Sequence, residues 1–145
     1  MKLLVPIDGS ELSLKALDHA LHLTRQGLKA TLVLANVQEP ATLYEMITLH
    51  DPEALAKLAA DAGADMLAPA VALCAAAGVP HVAEVATGDP VPMLLELQEK
   101  HRCHAVLMGS HGKGLVRSSW LGSVSQAMLE NCPVPVTFVK AHEAA

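Results

Sequence analysis

Between Met108 and Val124 the chain reads Met-Gly-Ser-His-Gly-Lys-Gly-Leu-Val-Arg-Ser-Ser-Trp-Leu-Gly-Ser-Val. Two residues separate Gly109 from Gly112, nine separate Gly112 from Gly122, and Ser123 follows directly. Glycines at 109 and 112 permit positive φ and lack the Cβ that would keep a phosphate away from the backbone amides. Gly122-Ser123 stands where a helix should begin, so unpaired N–H groups and the helix dipole there favour an anion. Ser123 can also serve as an N-cap, and the two roles can coexist. Asp8 closes the first apolar run of the chain. Its carboxylate either faces a ligand or folds the turn over Gly9 and caps the next helix. His111, the imidazole inside the glycine loop, suits contact with a phosphate better than proton transfer during hydrolysis. Lys113 and Arg117 either neutralise phosphate charge or face water.

Other chemistries lack their anchors. Neither the Gly-x-x-x-x-Gly-Lys-Ser/Thr loop nor the Gly-x-Gly-x-x-Gly dinucleotide fingerprint occurs. His19 with His22, and His101 with His104, share helix-compatible spacing, but no third ligand or carboxylate accompanies either pair, so they read as solvated surface. Cys74, Cys103 and Cys132 lie far apart without metal-type pairing, which suits buried small hydrophobes in a reducing compartment. A net charge of -5 and an aromatic content of 2% argue against nucleic acid and against stacking on a base or flavin. Asp8 interrupts the first apolar run before it can act as an export signal. Leu67 to Val79 is Ala-rich, interrupted by Pro69, and shorter than the roughly 20 residues of a membrane span. It reads as a buried helix, and a cytoplasmic protein without a membrane partner is expected.

The elements that must hold the glycine loop follow from periodicity. Lys2 to Ile7 is a nearly continuous apolar run, as in a strand covered on both faces. Ser10 caps a helix carrying Leu14, Leu17 and Leu21, which Gly27 ends. Ala30 to Val37 forms a second strand, terminated by Gln38-Glu39-Pro40. After a looser stretch to His50, Asp51-Pro52 opens a helix with Leu55, Leu58, Ala62 and Met66 on its face. Pro69 kinks or restarts it, and it continues through Val71, Leu73 and Cys74 to Gly78 and Pro80. His81 to Ala86 is a third strand. Gly88-Asp89-Pro90 then starts a helix that buries Met93, Leu94 and Leu97. Ala105 to Met108 is a fourth strand running into Gly109, followed by a helix marked by Val124, Met128 and Leu129. Val134 to Val139 is the fifth strand, placed at a sheet edge by Pro135, and His142 to Ala145 reads as a tail. The alternation gives a doubly wound α/β fold with helices on both faces of a parallel sheet.

Taken together, these pieces resemble the universal stress protein family, in its ATP-binding branch. The resemblance rests on the glycine spacing above, Val5-Pro6-Ile7-Asp8-Gly9-Ser10, Ala35-Asn36-Val37 and Val134 to Val139, and it covers nearly the whole chain. It implies a single domain over residues 1–145 with five strands in the order 3-2-1-4-5. Strands one and four then flank the topological switch point, where open α/β sheets bind ligands. By position, Pro6, Ile7 and Val37 resemble the residues that wall or hydrogen-bond adenine, Val37 through its backbone. Asp8 matches the acidic position beside ribose and phosphates, and Met108 and Gly109 match the ribose side. His111, Gly112, Gly122, Ser123 and Val124 match the segment wrapping the triphosphate, with Mg²⁺ riding on the phosphates rather than in a protein cage. Two departures stand out. Pro135 removes a possible donor from the strand through which such proteins commonly pair, and His104 replaces an acidic residue as a neutral surface change.

The resemblance implies an ATP-binding stress-response regulator, homodimeric through the fifth strand, that changes its affinity for protein partners with nucleotide state. No nucleophile-base pair is visible, so no catalytic residue is assigned and any ATP hydrolysis should be slow. Two other readings stay open. One is a dimeric interaction module that binds no nucleotide; the other is an ATP-using enzyme that depends on Asp8 or His111.

Overall fold

Continuous Val/Leu runs make stable strands only when both faces of their sheet are covered. The computed structural model, which describes residues 1–40, 51–112 and 121–141, covers them with two helix layers. Strand β1 (Lys2–Pro6) leads into α1 (Glu11–Arg25), β2 (Thr31–Gln38), α2 (Pro52–Ala77), β3 (His81–Thr87), α3 (Pro90–Lys100), β4 (Ala105–Gly109), α4 (Ser123–Asn131) and β5 (Val136–Val139). All strand pairs are parallel and the order is β3-β2-β1-β4-β5. Side chains alternate between two cores. Leu3, Val5, Ile7, Leu32 and Leu34 pack with Leu17 and Leu21 of α1 and Leu67, Ala70 and Cys74 of α2. Leu4, Val33, Ala35, Val106 and Met108 pack on the other face with Leu94 and Leu97 of α3 and Met128 of α4.

Several local expectations change. The helix opening at Asp51 runs unbroken past Pro69, which lies on its exposed side, because the alanine-rich flanks have the propensity to carry it through. It is not a buried helix. Only Gly63, Leu67, Ala70 and Cys74 are fully buried, whereas Leu58 is 50% and Leu73 38% exposed. An outer-layer helix buries a single stripe against its sheet, here against β2 and β3. By length and composition alone, α2 is long and apolar enough to cross a membrane. Met93 is half-buried, with Gln98 joining Leu94 and Leu97 in the core. Leu129 is exposed, and Ser125 with Met128 forms the buried face of α4. The looser stretch before His50 and the tail from His142 lie outside the described residues.

Strand β5 starts at Val136, and Pro135 precedes it. The Pro135 carbonyl accepts from the Val106 N–H at 2.9 Å, and the Val139 carbonyl accepts from the Ser110 N–H at 2.9 Å. Alternation along a strand therefore turns the backbone of Pro135, Thr137 and Val139 towards β4, and that of Val136 and Phe138 outward. Pro135 thus takes no donor from the outer edge, contrary to the sequence expectation.

His104 is exposed, as the sequence suggests, but it and the half-buried His101 also make specific contacts. The His104 ring Nδ1 accepts from the Lys2 N–H at 3.0 Å, while the His104 N–H donates to the Lys2 carbonyl at 2.7 Å. His104 thereby joins the start of β1 to the start of β4. The His101 ring lies 2.8 Å from the Glu84 carboxylate, which also accepts from Lys100 Nζ at 3.1 Å. Partial burial pushes the Glu84 carboxyl up, but hydrogen bonds from His101 and Lys100 outweigh it and hold the group below its ordinary value. All three cysteines are free. Burial pushes the Cys74 thiol up, and at Cys103 it outweighs the opposing charge of Lys2, so neither is primed to react.

Candidate functional site

Strand β1 pairs with β2 on one side and β4 on the other, and α1 and α4 leave towards opposite faces. The crevice beyond the carboxyl ends of these strands is the switch point of the sheet. It holds a cavity of about 450 Å³, within the ordinary range for small-molecule sites. All the residues that the resemblance assigns to the nucleotide line it. Pro6, Ile7 and Asp8 come from the end of β1 and Val37 from β2. Met108, Gly109, His111 and Gly112 come from β4 and its loop, and Gly122, Ser123 and Val124 from the entry to α4. Lys113 and Arg117 lie outside the described residues.

Asp8 performs the local role weighed for it, and one oxygen suffices. Its Oδ1 accepts the Ser10 N–H at 2.9 Å and also the Ser10 hydroxyl. Ser10 Oγ in turn accepts the Ser13 N–H at 3.2 Å and caps α1. The other oxygen, Oδ2, is turned towards Gly112, where an added Cβ would lie only 2.7 Å from it. Turn and cavity wall are therefore built from the same carboxylate.

The glycines work differently from the sequence expectation. Positive φ occurs at Gly9, Gly27, Gly78 and Gly88, not at Gly109, Gly112 or Gly122. The loop glycines answer close packing instead. A Cβ on Gly109 would meet Leu12 Cγ at 2.9 Å and the His111 carbonyl at 3.1 Å, and one on Gly122 would meet His111 Cα at 3.3 Å. Nor is the Gly122 amide open, because it donates to the Ser110 carbonyl at 2.8 Å and closes the neck of the loop. Gly122, rather than Ser123, is the N-cap of α4, and it supplies no side-chain cap. The first intrahelical bond runs from the Gln126 N–H to the Gly122 carbonyl at 2.9 Å. By helix geometry the amides of Ser123, Val124 and Ser125 thus lack intrahelical acceptors, and they sit at the positive end of the dipole. Ser125 Oγ donates to the Gly109 carbonyl at 2.9 Å, fixing this helix start against β4.

Beneath the β1 end, Asn36 is fully buried, and its Nδ2 donates to the Ile7 carbonyl at 2.8 Å. The Ile7 N–H donates to the Ala35 carbonyl at 2.8 Å, so the turn carrying Asp8 is held from β2 by both main chain and side chain. Sequence reasoning passed over Ser13, Ala35, Glu39, Pro90, Leu94, Leu121 and Ser125 as lining residues. Period-two counting from Val37 would have found Ala35 and Glu39, while Pro90 and Leu94 depend on how α3 lies across the sheet. Among the described residues no group of three or more His, Cys, Asp or Glu side chains is arranged to hold a metal ion.

Comparison with known proteins gives a consistent assignment. The model of the universal stress protein family matches residues 1–140. Universal stress protein MJ0531 of Methanocaldococcus jannaschii is 27% identical over 96% of this chain and 81% of its own length. Universal stress protein YxiE of Bacillus subtilis is 30% identical over 92% and 95% respectively. The solved structure of the hypothetical protein MJ0577 superposes with a TM-score of 0.80 at 25% identity, covering 99% of this chain and 97% of that one. Two further structures share the fold and hold nucleotides. A family protein of Arabidopsis thaliana with AMP bound has a TM-score of 0.71 at 20% identity, covering 98% and 92% of the two chains. A universal stress protein in complex with cAMP has a TM-score of 0.67 at 24% identity, covering 96% and 95%.

Proposed function

The chain belongs to the universal stress protein family, and we propose that it is a cytoplasmic, nucleotide-responsive regulator that binds ATP, with Mg²⁺ carried on the phosphates. The observation that carries this reading is the helix start at Ser123, Val124 and Ser125, which opens on a cavity of about 450 Å³ at the switch point. Donors without intrahelical acceptors at such a point suit an anion by hydrogen bonding and by the dipole. The apolar wall of Pro6, Ile7 and Val37 suits a purine, and Asp8 and Met108 line the same cavity. Bound AMP and cAMP in two proteins of this fold support an adenine nucleotide.

In this reading the α4 amides and His111 receive the phosphates, and Asn36 holds Ile7 and hence the base wall. Asp8 keeps the loop neck and the α1 cap in register. A bound divalent ion would neutralise phosphate charge beside the Asp8 carboxylate; the residues present suit an ion held mainly by the ligand. No step of hydrolysis is assigned to any side chain. The protein acts as a homodimer through β5, whose outward backbone at Val136 and Phe138 is available to a second copy, and its protein partners read the nucleotide state.

The test is direct. Mass spectrometry of small molecules released from freshly purified protein should find an adenine nucleotide, and ATP with Mg²⁺ should raise the melting temperature. Ligand at 100 times its dissociation constant stabilises the fold by about 2.7 kcal/mol. Neither copurified nucleotide nor a melting shift at millimolar ATP, AMP and cAMP would instead favour the interaction module without nucleotide.

A further inference from the structure

Between β2 and α2 two side-chain amides and a thioether form a closed network. Asn36 Nδ2 carries two hydrogens; it donates to the Ile7 carbonyl at 2.8 Å and to the Met66 sulfur at 3.4 Å. Gln38 Nε2 divides its two hydrogens in the same way, between Asn36 Oδ1 at 2.7 Å and the Met66 sulfur at 3.7 Å. Both amides have their donors engaged, and the thioether is the weakest acceptor among their partners. One end of the network belongs to the cavity wall, because Ile7 lines the cavity. The other end belongs to α2.

Met66 stands on the flank of the stripe Gly63, Leu67, Ala70 and Cys74 that seats α2 on the sheet, and it is half-buried, whereas Met108 and Met128 are buried. A small peroxide therefore has access to Met66 that it lacks at those two. In the reaction a sulfur lone pair bonds one peroxide oxygen and the O–O bond breaks. The other oxygen leaves as water with both protons; sulfur loses two electrons and the peroxide gains them. The product is a sulfoxide, which is polar where the thioether was apolar. Two amides already approach the sulfur, so an oxygen added on their side displaces a donor and then competes for it as a stronger acceptor. Asn36 has little room to retreat. It is fully buried, and its Oδ1 lies 3.0 Å from the place a Cβ on Gly63 would take. We infer that Met66 is an oxidation site whose sulfoxide draws Asn36 off the Ile7 carbonyl and loosens the cavity wall. A loss of nucleotide affinity on oxidation follows, and this consequence alone rests on the adenine-nucleotide reading above.

The test treats the wild-type protein and Met66→Leu with hydrogen peroxide. Peptide mass spectrometry locates the sulfoxide, NMR follows the Asn36 side-chain amide, and calorimetry measures binding of ATP with Mg²⁺. In the wild type Met66 should take up one oxygen and the Asn36 amide resonance should move. ATP affinity should fall by about tenfold, the equivalent of one hydrogen bond. Methionine sulfoxide reductase should reverse all three changes. Met66→Leu, close in volume and unable to take up oxygen, should keep its Asn36 resonance and its affinity through the treatment. Absence of sulfoxide at Met66 in the folded protein overturns the inference, as does a sulfoxide that leaves Asn36 unmoved. An equal loss of affinity in Met66→Leu also overturns it and directs attention to Met108 in the cavity wall. A protein that binds no ATP before treatment, yet moves its Asn36 amide on oxidation of Met66, overturns the nucleotide reading and upholds the oxidation site.

Discussion

Asp8 and Gly112 constrain each other, because the carboxylate occupies the place where any side chain at 112 would begin. An alanine there would put its Cβ 2.7 Å from Asp8 Oδ2, closer than nonbonded carbon and oxygen approach. Asp8 cannot swing away freely, since Oδ1 is committed to the Ser10 amide and hydroxyl. Either those bonds break or the loop backbone moves out of line with the α4 amides. Gly112→Ala is therefore expected to weaken ATP binding by about tenfold, the equivalent of one lost hydrogen bond or a similar misplacement. The decisive measurement is a double-mutant cycle. In an Asp8→Ala background the clashing oxygen is gone, so adding Gly112→Ala should cost almost nothing further. Additive losses would mean that the two residues act separately and that the close approach has no part in binding.

Helix α2 meets the sheet through a glycine, and this contact shows what a sequence alone can and cannot reveal. A Cβ on Gly63 would lie 2.4 Å from Val85 Cγ1, 2.9 Å from Val85 Cγ2 and 3.0 Å from Asn36 Oδ1. Alanine gains about 1 kcal/mol of helix propensity over glycine, but overpacking against a β-branched side chain that is stiff at χ1 costs more. Gly63→Ala should lower stability by about 1–2 kcal/mol in urea unfolding, and an increase in stability would show that α2 can lift off β3 cheaply. Nothing in the spacing of Leu55, Leu58, Ala62 and Met66 announces this. The alanine-rich stretch offers several candidate stripes, and the buried one, Gly63 to Cys74, is chosen by the small residue that lets the helix approach β3. Strands β1, β2 and β4 were legible because a strand buried on both faces is an unbroken apolar run. The site glycines were legible because Gly109, Gly112 and Gly122 are packed too closely to carry a side chain. What stayed hidden was tertiary in origin: the Ser110 bond to the Gly122 amide, the Glu84 partner of His101, and the place of Pro90 and Leu94 along the cavity.

Two sheet edges remain for the whole molecule, and their backbones decide which can pair. On β5 the inward-facing groups of Pro135, Thr137 and Val139 serve β4, which leaves the Val136 and Phe138 amides and carbonyls pointing outward. β3 is the opposite edge, and it exposes Val82 at 42%. The proposed β5 dimer can therefore be tested without damaging the β4 ladder. Val136→Pro removes an outward N–H and no internal bond, as proline is tolerated on an edge. Val136 packs partly against the second core, but the proline ring retains much of that apolar contact. Sedimentation should show a dimer for the wild type and an equilibrium weakened by about tenfold or more for Val136→Pro, since losing a paired edge amide costs about one hydrogen bond at each of two symmetric positions. Thr137→Pro is the contrasting change. Its amide faces β4, so it should lower the melting temperature whether or not the protein is a dimer. A dimer that survives Val136→Pro unchanged would move the interface away from β5, with the β3 edge and the exposed side of α2 as the surfaces to examine next.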